Sequence, residues 1–426
     1  MNEPISHITS DNSGFRIELP ADVAFIIDTI EQHGHQAYAV GGCVRDTIMG
    51  VTPNDWDITT NALPEEVKSY FSKTIDTGIQ HGTVTIMLHH VGYEVTTYRI
   101  DGDYLDGRHP SSVEFSDRLT DDLCRRDFTI NAMAYNNRTG LVDEYGGIDD
   151  INNKIIRCVG NPIERFTEDA LRMMRAIRFS AQLGFTIEDN TYHAIETLSE
   201  NIQKVSMERV CVELKKTLMS DNPDYCRLYG DTNLFKDILP QLHESFTSRQ
   251  SKRILLTCRY APAELSIRLA SCLSNGTPDD ARNTLRQLRM DNKTIDTVVK
   301  ILTFSKTHIE ETEPAVREAL HRCGRDIFEL IIQYELAWVR ASEEVTFISN
   351  PARFNHLTSL KRMADEILSR GDCFTIKDLD ITGLDLIEYG LKGAQIGDTL
   401  NYLLDIVIEN PKLNDKATLI GLIDKK

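Results

Sequence analysis

The chain has 426 residues, of which 41% are hydrophobic, and it carries a formal net charge of -18 at pH 7. This length exceeds what one hydrophobic core usually spans, so we expect two or more domains. No apolar run is long enough for a membrane helix, and the first residues, MNEPISHITSDNSG, are polar rather than typical of a signal peptide, so we expect a soluble cytoplasmic protein.

The cysteines and the charge limit the class of protein further. Nine cysteines are scattered without a CxxC pair, which indicates reduced thiols rather than disulfides or a zinc site. The negative charge weighs against nucleic-acid binding, because phosphate contacts dominate such affinity. A local basic stripe can still bind RNA on an acidic protein.

The first 150 residues alternate between helical and strand patterns, which predicts a small mixed sheet with two or three helices. In chain order the pattern predicts a helix over 20–33, a strand over 36–40, a turn at Gly41 and Gly42, a helix over 43–49, a strand over 55–59, a helix over 63–70, and strands over 83–88 and 93–100 joined after a turn at Val91 and Gly92.

The predicted strand over 55–59 carries two acids, Asp55 and Asp57. Alternate residues of a strand face the same side, so the two carboxylates should meet while Trp56 packs behind them. Carboxylates and substrate phosphates are the ligands that Mg2+ prefers, and the preceding glycine turn opens a helix able to receive an anion. Most such triplets are solvated turns or caps. In this context the pattern favours metal-assisted phosphoryl transfer.

Four motifs in this order carry a family resemblance: GGCVRD (41–46), NDWDITT (54–60), RRDFTINAMAY (125–135) and RFTEDALRMMRAIRF (165–179). They resemble the nucleotidyltransferase superfamily that includes DNA polymerase beta. More narrowly, they resemble the class II tRNA CCA-adding enzymes and their relatives, the bacterial poly(A) polymerases. The resemblance implies an α+β, polymerase beta-like head with a small mixed sheet, followed by an all-α C-terminal half.

The resemblance also implies roles for residues of the head. Asp55 and Asp57 would hold Mg2+, and the triphosphate would be held by Gly42, Arg45 and Arg126. Two arginines before a buried segment suit bidentate phosphate contacts.

Two further acids of the head have open assignments. Glu94, on the strand over 93–100, is a candidate third carboxylate or an exposed strand residue. Asp127 is a second candidate for that position, or it holds the ribose together with Asn131. The segment over 128–135 reads as a helix or a strand.

The stretch over 101–112, DGDYLDGRHPSS, should be a mobile loop because of its Asp, Gly and Pro content. It resembles the flexible loop that family members need for adding the final adenosine. Its Arg108, His109 and Pro110 differ from the Arg-Arg-Pro common in relatives.

A helix is predicted over 164–183, with Asp169, Arg172, Arg175 and Arg178 on its polar face. Residues three apart are neighbours, so Asp169 and Arg172 can present an acceptor beside a donor. Such a pair would accept cytosine and adenine, which offer an amino donor beside a ring acceptor, and reject uracil and guanine. An ordinary amphipathic helix with a salt bridge is the alternative.

The stretch EDALR matches the family motif EDxxR. By resemblance Asp169 and Arg172 read the base, while Arg175 and Arg178 support the triphosphate or the primer end.

After residue 150 the chain reads as helical, including 207–218, 283–303, 313–338 and 351–369. We predict a nucleotidyltransferase head over 1–150, a neck over 151–218, a body over 219–310 and a tRNA-binding tail over 311–426. The HD phosphohydrolase motif of some relatives has no counterpart in 265–275. Glycines within 381–397 permit close approach to an RNA backbone or cap helices.

The sequence therefore predicts an enzyme that completes or repairs the 3′-terminal CCA of tRNA from CTP and ATP, with Mg2+ as cofactor. It would grip the acceptor and T arms of tRNA, and no membrane or DNA is expected as a partner. The alternatives are a bacterial poly(A) polymerase, an enzyme that adds only CC, and a non-catalytic RNA-binding protein with a decayed transferase domain.

Overall fold

The structure is a computed structural model of the chain, and it describes residues 8–11, 14–79, 82–101 and 113–423. The chain divides into two compact units, Met1–His243 and Glu244–Lys426. Within the described ranges no helix is both long and apolar enough to cross a membrane. All nine cysteines are free, and all except Cys124 are buried.

The first unit contains the strands of the structure. They are β1 (Ile8–Asp11), β2 (Gly14–Ile17), β3 (Ala37–Val40), β4 (Ile58–Thr60), β5 (Thr74–Gly78), β6 (Thr83–Leu88), β7 (Val91–Thr97), β8 (Arg99–Asp101), β9 (Val113–Phe115), β10 (Ala134–Asn136), β11 (Gly140–Val142), β12 (Ile155–Ile156) and β13 (Thr186–Ile187). Seven of them form one sheet in the order β11-β10-β3-β4-β7-β6-β5. Strands β4 and β7 are parallel, and the other neighbours are antiparallel, so the predicted mixed sheet is confirmed.

The helices of the first unit lie between its strands and after them along the chain. They are α1 (Ala21–Gln32), α2 (Gly42–Ile48), α3 (Pro64–Tyr70), α4 (Leu119–Cys124), α5 (Gly147–Asn153), α6 (Pro162–Glu168), α7 (Leu171–Leu183), α8 (Asp189–Leu198), α9 (Met207–Leu218) and α10 (Arg227–Asp231). Helix α1 packs on β3 through Val23, Ile26, Ile27 and Ile30, which recur at helical spacing and are all buried. Helices α7 and α9 pack against each other.

Three local predictions in the head are wrong. Strand β4 begins only at Ile58, because Pro53 and Asn54 favour a turn, and Asp55 and Asp57 therefore lie in the loop before it. The turn before β7 is formed by His89 and His90, which both have positive φ, and β7 already begins at Val91. The segment over 128–135 is neither one helix nor one strand: a 3-10 turn, Thr129–Asn131, precedes β10.

The predicted helix over 164–183 is two helices, α6 and α7, with a break at Asp169 and Ala170. The Asp169 carboxylate accepts a hydrogen bond from the backbone N–H of Leu171 at 3.0 Å. An Asp side chain that bonds the backbone two residues on competes with the helical hydrogen bonds. Asp169 therefore ends α6 instead of lying within a continuous helical face.

The remaining helices complete the all-α C-terminal half. They are α11 (Pro240–Thr247), α12 (Ser251–Tyr260), α13 (Leu265–Leu273), α14 (Pro278–Gln287), α15 (Asn292–Phe304), α16 (Glu313–Cys323), α17 (Arg325–Thr346), α18 (Pro351–Arg370), α19 (Gly383–Glu388), α20 (Ala394–Glu409) and α21 (Lys416–Ile423). Within the second unit α12 packs on α17 and α16 packs on α18. The segments over 283–303 and 313–338 each contain parts of two helices, and Gly324, with φ of 85°, separates the second pair.

Candidate active site

The two acids of the NDWDITT motif lie directly before β4, a central strand of the sheet. The backbone carbonyl of Asp57 accepts a hydrogen bond from Val40 N–H at 2.9 Å, which ties this loop to the end of β3. In the parallel pair β4 and β7, Ile58 is opposite Val95. Asp57 directly precedes Ile58, and Glu94 directly precedes Val95. Asp57 and Glu94 therefore lie at the same level of the sheet.

The three carboxylates influence one another. Partial desolvation raises the pKa of Asp57, the charge of Arg126 opposes that rise, and the charge of Asp55 adds to it. The pKa of Glu94 is raised by desolvation and then by the charges of Asp57 and Asp55. Such an accumulation of negative charge suits a divalent cation.

The sequence predicts Asp55 and Asp57 as the ligands for that cation. In the part of the chain that the structure describes, no group of three or more His, Cys, Asp and Glu side chains is arranged to hold a metal ion. Glu94 thus adds charge to the site without completing a three-ligand cluster in this arrangement.

The glycine turn before α2 provides space for an arginine. Gly41 has φ of +84°, a conformation that favours glycine. A Cβ atom at Gly41 would lie only 3.0 Å from Nη1 of Arg126. The backbone conformation therefore favours the first glycine of the GGCVRD motif, and its lack of a side chain lets Arg126 lie against the start of α2.

Arg126 is held from behind by Asp122, a carboxylate with no exposed surface. Arg126 Nη2 donates to Asp122 Oδ2 at 3.0 Å, and the same carboxylate accepts from Arg125 and from the Thr59 hydroxyl. Burial alone would raise the pKa of Asp122, but the charges of Arg126 and Arg125 lower it below its usual value. Among the described residues, the buried Nε of Arg126 has no hydrogen-bond partner, while the side chain as a whole is partly exposed.

A chain of hydrogen bonds connects α2 to α7. Arg45 Nη1 donates to Asn131 Oδ1 at 2.6 Å, and Asn131 Nδ2 donates to Asp127 Oδ1 at 3.1 Å. Arg175 Nε donates to Asp127 Oδ2 at 2.7 Å. Burial by itself would raise the pKa of Asp127, but Arg175 and the hydrogen bond from Asn131 lower it to about 2. Both Asp127 oxygens are engaged, so Asp127 is a structural anchor in this arrangement.

Three of the predicted arginines surround the ring of Phe179 on α7. The guanidinium carbons of Arg45, Arg175 and Arg178 lie 5.2, 5.3 and 3.7 Å from the ring centroid. Arg178 is buried, and it also donates to Glu213 on α9 at 2.5 Å. Arg178 is therefore bound within the protein, so any support that it gives a nucleotide is indirect.

The two predicted base-reading residues lie close in sequence but bind different partners. The Asp169 carboxylate accepts from Arg209 Nη2 at 2.8 Å. Arg172 Nη1 donates to Glu168 at 2.7 Å, and its Nη2 donates to the carbonyl of Arg125 at 2.9 Å. Arg172 thus joins α7 directly to the residue before Arg126.

The structure therefore brings the predicted residues into one connected region of the first unit. The loop over 101–112 is an exception, because 102–112 lies outside the described residues. Sequence reasoning missed Asp122, Glu168, Phe179 and Arg209. Of these, Asp122 could have been predicted from its spacing. It comes three residues before Arg125 and four before Arg126, and residues at these spacings are neighbours on a helix.

Comparison with known proteins covers both units. The family model for the poly A polymerase head domain matches residues 37–157, one described as "Probable RNA and SrmB- binding site of polymerase A" matches 184–246, and one for tRNA nucleotidyltransferase domain 2 matches 263–423.

Relatives match over nearly the whole length. The CCA-adding enzyme of Ligilactobacillus salivarius (strain UCC118) is 35% identical over 402 residues, which cover 93% of this chain and 94% of that protein. The CCA-adding enzyme of Levilactobacillus brevis (strain ATCC 367) is 36% identical over 406 residues, which cover 93% and 96%. The crystal structure of the Bacillus stearothermophilus CCA-adding enzyme in complex with CTP matches with a TM-score of 0.73 and 29% identity, covering 100% of this chain and 98% of that one.

Proposed function

The chain belongs to the CCA-adding enzyme family, and on that premise we propose that it completes or repairs the 3′-terminal CCA of tRNA from CTP and ATP, releasing pyrophosphate. The observation that carries the proposal is the continuity of the site. Arg126 lies beside Asp57 at one end, and Arg172 binds the carbonyl of Arg125 at the other. A nucleotide whose phosphates reach Arg126 would place its base near α7.

The family uses a divalent metal, and we propose Mg2+ held by Asp55 and Asp57. The donor set fits this ion, because Mg2+ is usually held by one or two carboxylates and the substrate phosphates. When bound, it would supply positive charge against the attacking and leaving oxygens. Glu94 would strengthen cation binding through its charge.

The triphosphate would be bound by Arg126, whose side chain is partly exposed and whose charge acts on Asp57. Gly42, the first residue of α2, would lie against a phosphate. Arg45 is buried and bonded to Asn131 and Asp46, so it would act mainly by fixing this wall of the site. Asn131 and Asp127 would lie near the ribose. Arg175 holds Asp127 from the opposite side.

The base would be chosen by Asp169 and Arg172. A carboxylate accepts from the exocyclic amine that cytosine and adenine share, and a guanidinium donates to the adjacent ring nitrogen. Uracil and guanine present a carbonyl and an N–H in those places and leave buried groups unpaired, at a cost of about 1 to 3 kcal/mol each. A nucleic-acid template is then unnecessary.

The helical half would bind the acceptor and T arms of tRNA by shape and phosphate contacts, as A-form RNA is generally recognised. We propose that these roles divide among the head over 1–150, the neck over 151–218, the body over 219–310 and the tRNA-binding tail over 311–426. A cytoplasmic location follows from the substrate, because tRNA and nucleotides are used there.

The test is extension of a tRNA that ends at the discriminator base, with Mg2+ and each nucleotide singly and in combination. We expect CTP alone to add two residues and CTP with ATP to add three. Long A tails would identify a poly(A) polymerase, and a halt after two residues with both nucleotides would identify a CC-adding enzyme.

Asp55→Ala should abolish incorporation while tRNA binding remains. Absent incorporation by the unaltered chain would support the binding-only alternative.

A further inference from the structure

Two large apolar side chains stand in solvent at the turn between α17 and α18, residues 347–350. Phe347 is 88% exposed, and its neighbour Ile348 is 70% exposed. Phe347 also has φ of 57°, a left-handed conformation that glycine or asparagine usually takes at the end of a helix. The turn therefore holds a bulky aromatic side chain outward, in a backbone conformation that such a residue does not favour.

A cleft of about 520 Å3 adjoins this turn. Its apolar wall is formed by Trp338 and Val339 of α17 and by Ile348 of the turn itself. A cavity of about 150 Å3 is sufficient to hold a benzene ring. The cleft is therefore large enough for a phenylalanine side chain from outside the chain, whereas Phe347 of the same chain is directed into solvent.

The polar groups around the cleft already have partners within the chain. Glu335 accepts a hydrogen bond from Arg353 Nη2 at 3.0 Å, and Glu343 accepts one from the backbone N–H of Asn350 at 2.5 Å. The apolar surface is thus the part of this region that lacks a partner.

The charges of this region favour a protein partner over RNA. Residues 335–354 carry three carboxylates against two arginines, namely Glu335, Glu343 and Glu344 against Arg340 and Arg353. A surface with an acidic excess does not attract phosphates. The excess is nevertheless small beside the net charge of -18 on the whole chain, so two copies that meet here repel each other little.

We propose that the chain forms a dimer in solution, in which Phe347 of each copy enters the cleft of the other. The exposed side chain and the cleft that receives it lie next to each other on one surface, as a two-fold symmetric interface requires. This interface belongs to the second unit, and it does not depend on the proposed function.

The exposed area sets the strength of this dimer. Phe347 and Ile348 together expose about 300 Å2 of apolar surface. Burying this pair in both copies, with the surfaces that it covers, removes about 1,200 Å2 from water, which is the lower end of the range for specific interfaces. The dimer is therefore reversible and dissociates on dilution.

The experiment measures the mass of the full chain by sedimentation equilibrium over a dilution series. We expect the mass to rise with concentration from that of one chain to that of two. Phe347→Asn should raise the dimer Kd by about tenfold or more, because aromatic anchors dominate such interfaces. Asparagine tolerates the left-handed conformation, so the turn is kept. Ser342→Phe, which fills the cleft from within its own chain, should have the same effect.

The double variant should be no weaker than the weaker of the two single variants, because both changes remove the same contact. Leu384→Asn is the matched control, since Leu384 is an apolar residue of the same unit that is 73% exposed and does not line the cleft. It should leave the Kd unchanged.

Fluorescence locates the interface, because Trp338 lines the cleft and Trp56 is the only other tryptophan. In a Trp56→Phe chain the emission of Trp338 should change with concentration in parallel with the mass, and Phe347→Asn should suppress that change.

A chain that stays monomeric at every concentration would overturn the proposal. So would a dimer whose Kd is unaffected by Phe347→Asn and Ser342→Phe, or a mass that grows beyond two copies. Loss of tRNA affinity in Phe347→Asn, with the unaltered chain monomeric, would assign the surface to RNA instead. If Phe347→Asn fails to fold, Ser342→Phe decides the question.

Discussion

Asp122 is the clearest case of one residue on which the site depends. It is fully buried and is compensated by Arg125 and Arg126. Asp122→Asn keeps the size of the side chain but leaves two guanidinium groups without their counter-charge. Removing one partner of a buried ion pair typically costs about 3–5 kcal/mol.

We therefore expect the unfolding free energy of Asp122→Asn in urea to fall by that amount, and triphosphate affinity to fall with it. Asp117→Asn is the control, because Asp117 is exposed on the same approach to α4 and should change stability by less than about 0.5 kcal/mol. A fully stable Asp122→Asn with normal nucleotide affinity would contradict this account of Arg126.

Asp127 makes stability depend on pH in the acid range. Its pKa is lowered to about 2 in the folded chain, against about 3.9 in an unfolded chain. A lowered pKa contributes stability that is fully present above the unfolded value and is lost as pH falls through the folded value. The contribution is roughly 2 kcal/mol.

The unaltered chain should therefore lose this stability between about pH 4 and pH 2. The difference in unfolding free energy between it and Asp127→Asn should shrink over the same range. A difference that stays constant from pH 6 to pH 2 would show that Asp127 is not held ionised by Arg175.

Asp57 should behave in the opposite direction. Its raised pKa means that the charged form is disfavoured by folding, so the penalty grows as pH rises through the unfolded value and persists above the folded one. Without a divalent cation, Asp57→Asn should raise the unfolding free energy by no more than about 1 kcal/mol, and the melting temperature should rise with it.

Added Mg2+ should stabilise the unaltered chain and have little effect on the variant, because binding to the folded state alone shifts unfolding by mass action. Thermal unfolding with and without Mg2+ measures both effects. Equal stabilisation of the two proteins by Mg2+ would place the cation elsewhere. Asp117→Asn serves again as the control and should respond to Mg2+ as the unaltered chain does.

At the level of elements, hydrophobic periodicity was sufficient where an element packs along one face. Strand β6 and helix α9 have the predicted bounds, 83–88 and 207–218, because their apolar residues recur at the period of a strand and of a helix. Helix α1 differs by one residue at each end from its prediction. The bounds of these elements could be predicted without knowing what each element packs against.

The bounds of the elements that contain site residues were harder to predict, because hydrogen bonds from polar side chains interrupt the regular backbone there. The Asp169 carboxylate bonds the backbone N–H of Leu171, which divides the predicted helix, and the apolar pattern continues across the break. Likewise, Ile58 begins β4, while Asp55 and Asp57 occupy the loop before it. The grouping of the site residues was predictable from motifs, but partners such as Arg209 come from distant elements that spacing cannot connect.

Helix α16 is attached to the C-terminal end of α20 by one buried arginine. Arg317 Nε donates to the carbonyl of Ile408 at 2.6 Å, and Nη1 donates to Asp372 at 3.1 Å. A cation at a helix C-terminus satisfies carbonyls that lack intrahelical partners. Arg317 is 2% exposed, so these bonds are shielded from water.

Arg317→Met should lower the unfolding free energy by about 3–5 kcal/mol, because the carbonyls of Ile408 and Glu409 lose their donor and Asp372 keeps only Arg370 as a partner. Arg370→Met removes a more exposed cation from the same cluster and should lower the unfolding free energy much less, because solvent screens its ion pairs. Urea unfolding of the two variants tests the contrast. If the two variants lost the same unfolding free energy, burial of Arg317 would not strengthen its hydrogen bonds and ion pairs.

At the scale of the whole molecule, the structure forms two compact units, whereas the sequence predicts four segments by role. The predicted order, a mixed-sheet head followed by helices, is confirmed. The packing of helices against one another could not be predicted, because amphipathic helices show which face is buried but not what covers it. With a net charge of -18, contacts to RNA must come from local basic surfaces rather than from the overall field.

The central claim is that the protein itself limits the product to three defined nucleotides. The most direct measurement is the intact mass of a tRNA ending at the discriminator base, after prolonged incubation with Mg2+ and an excess of all four nucleotides. The account predicts a single product heavier by two cytidylates and one adenylate. A ladder of adenylates, incorporation of uridylate or guanylate, or an unchanged mass would contradict it.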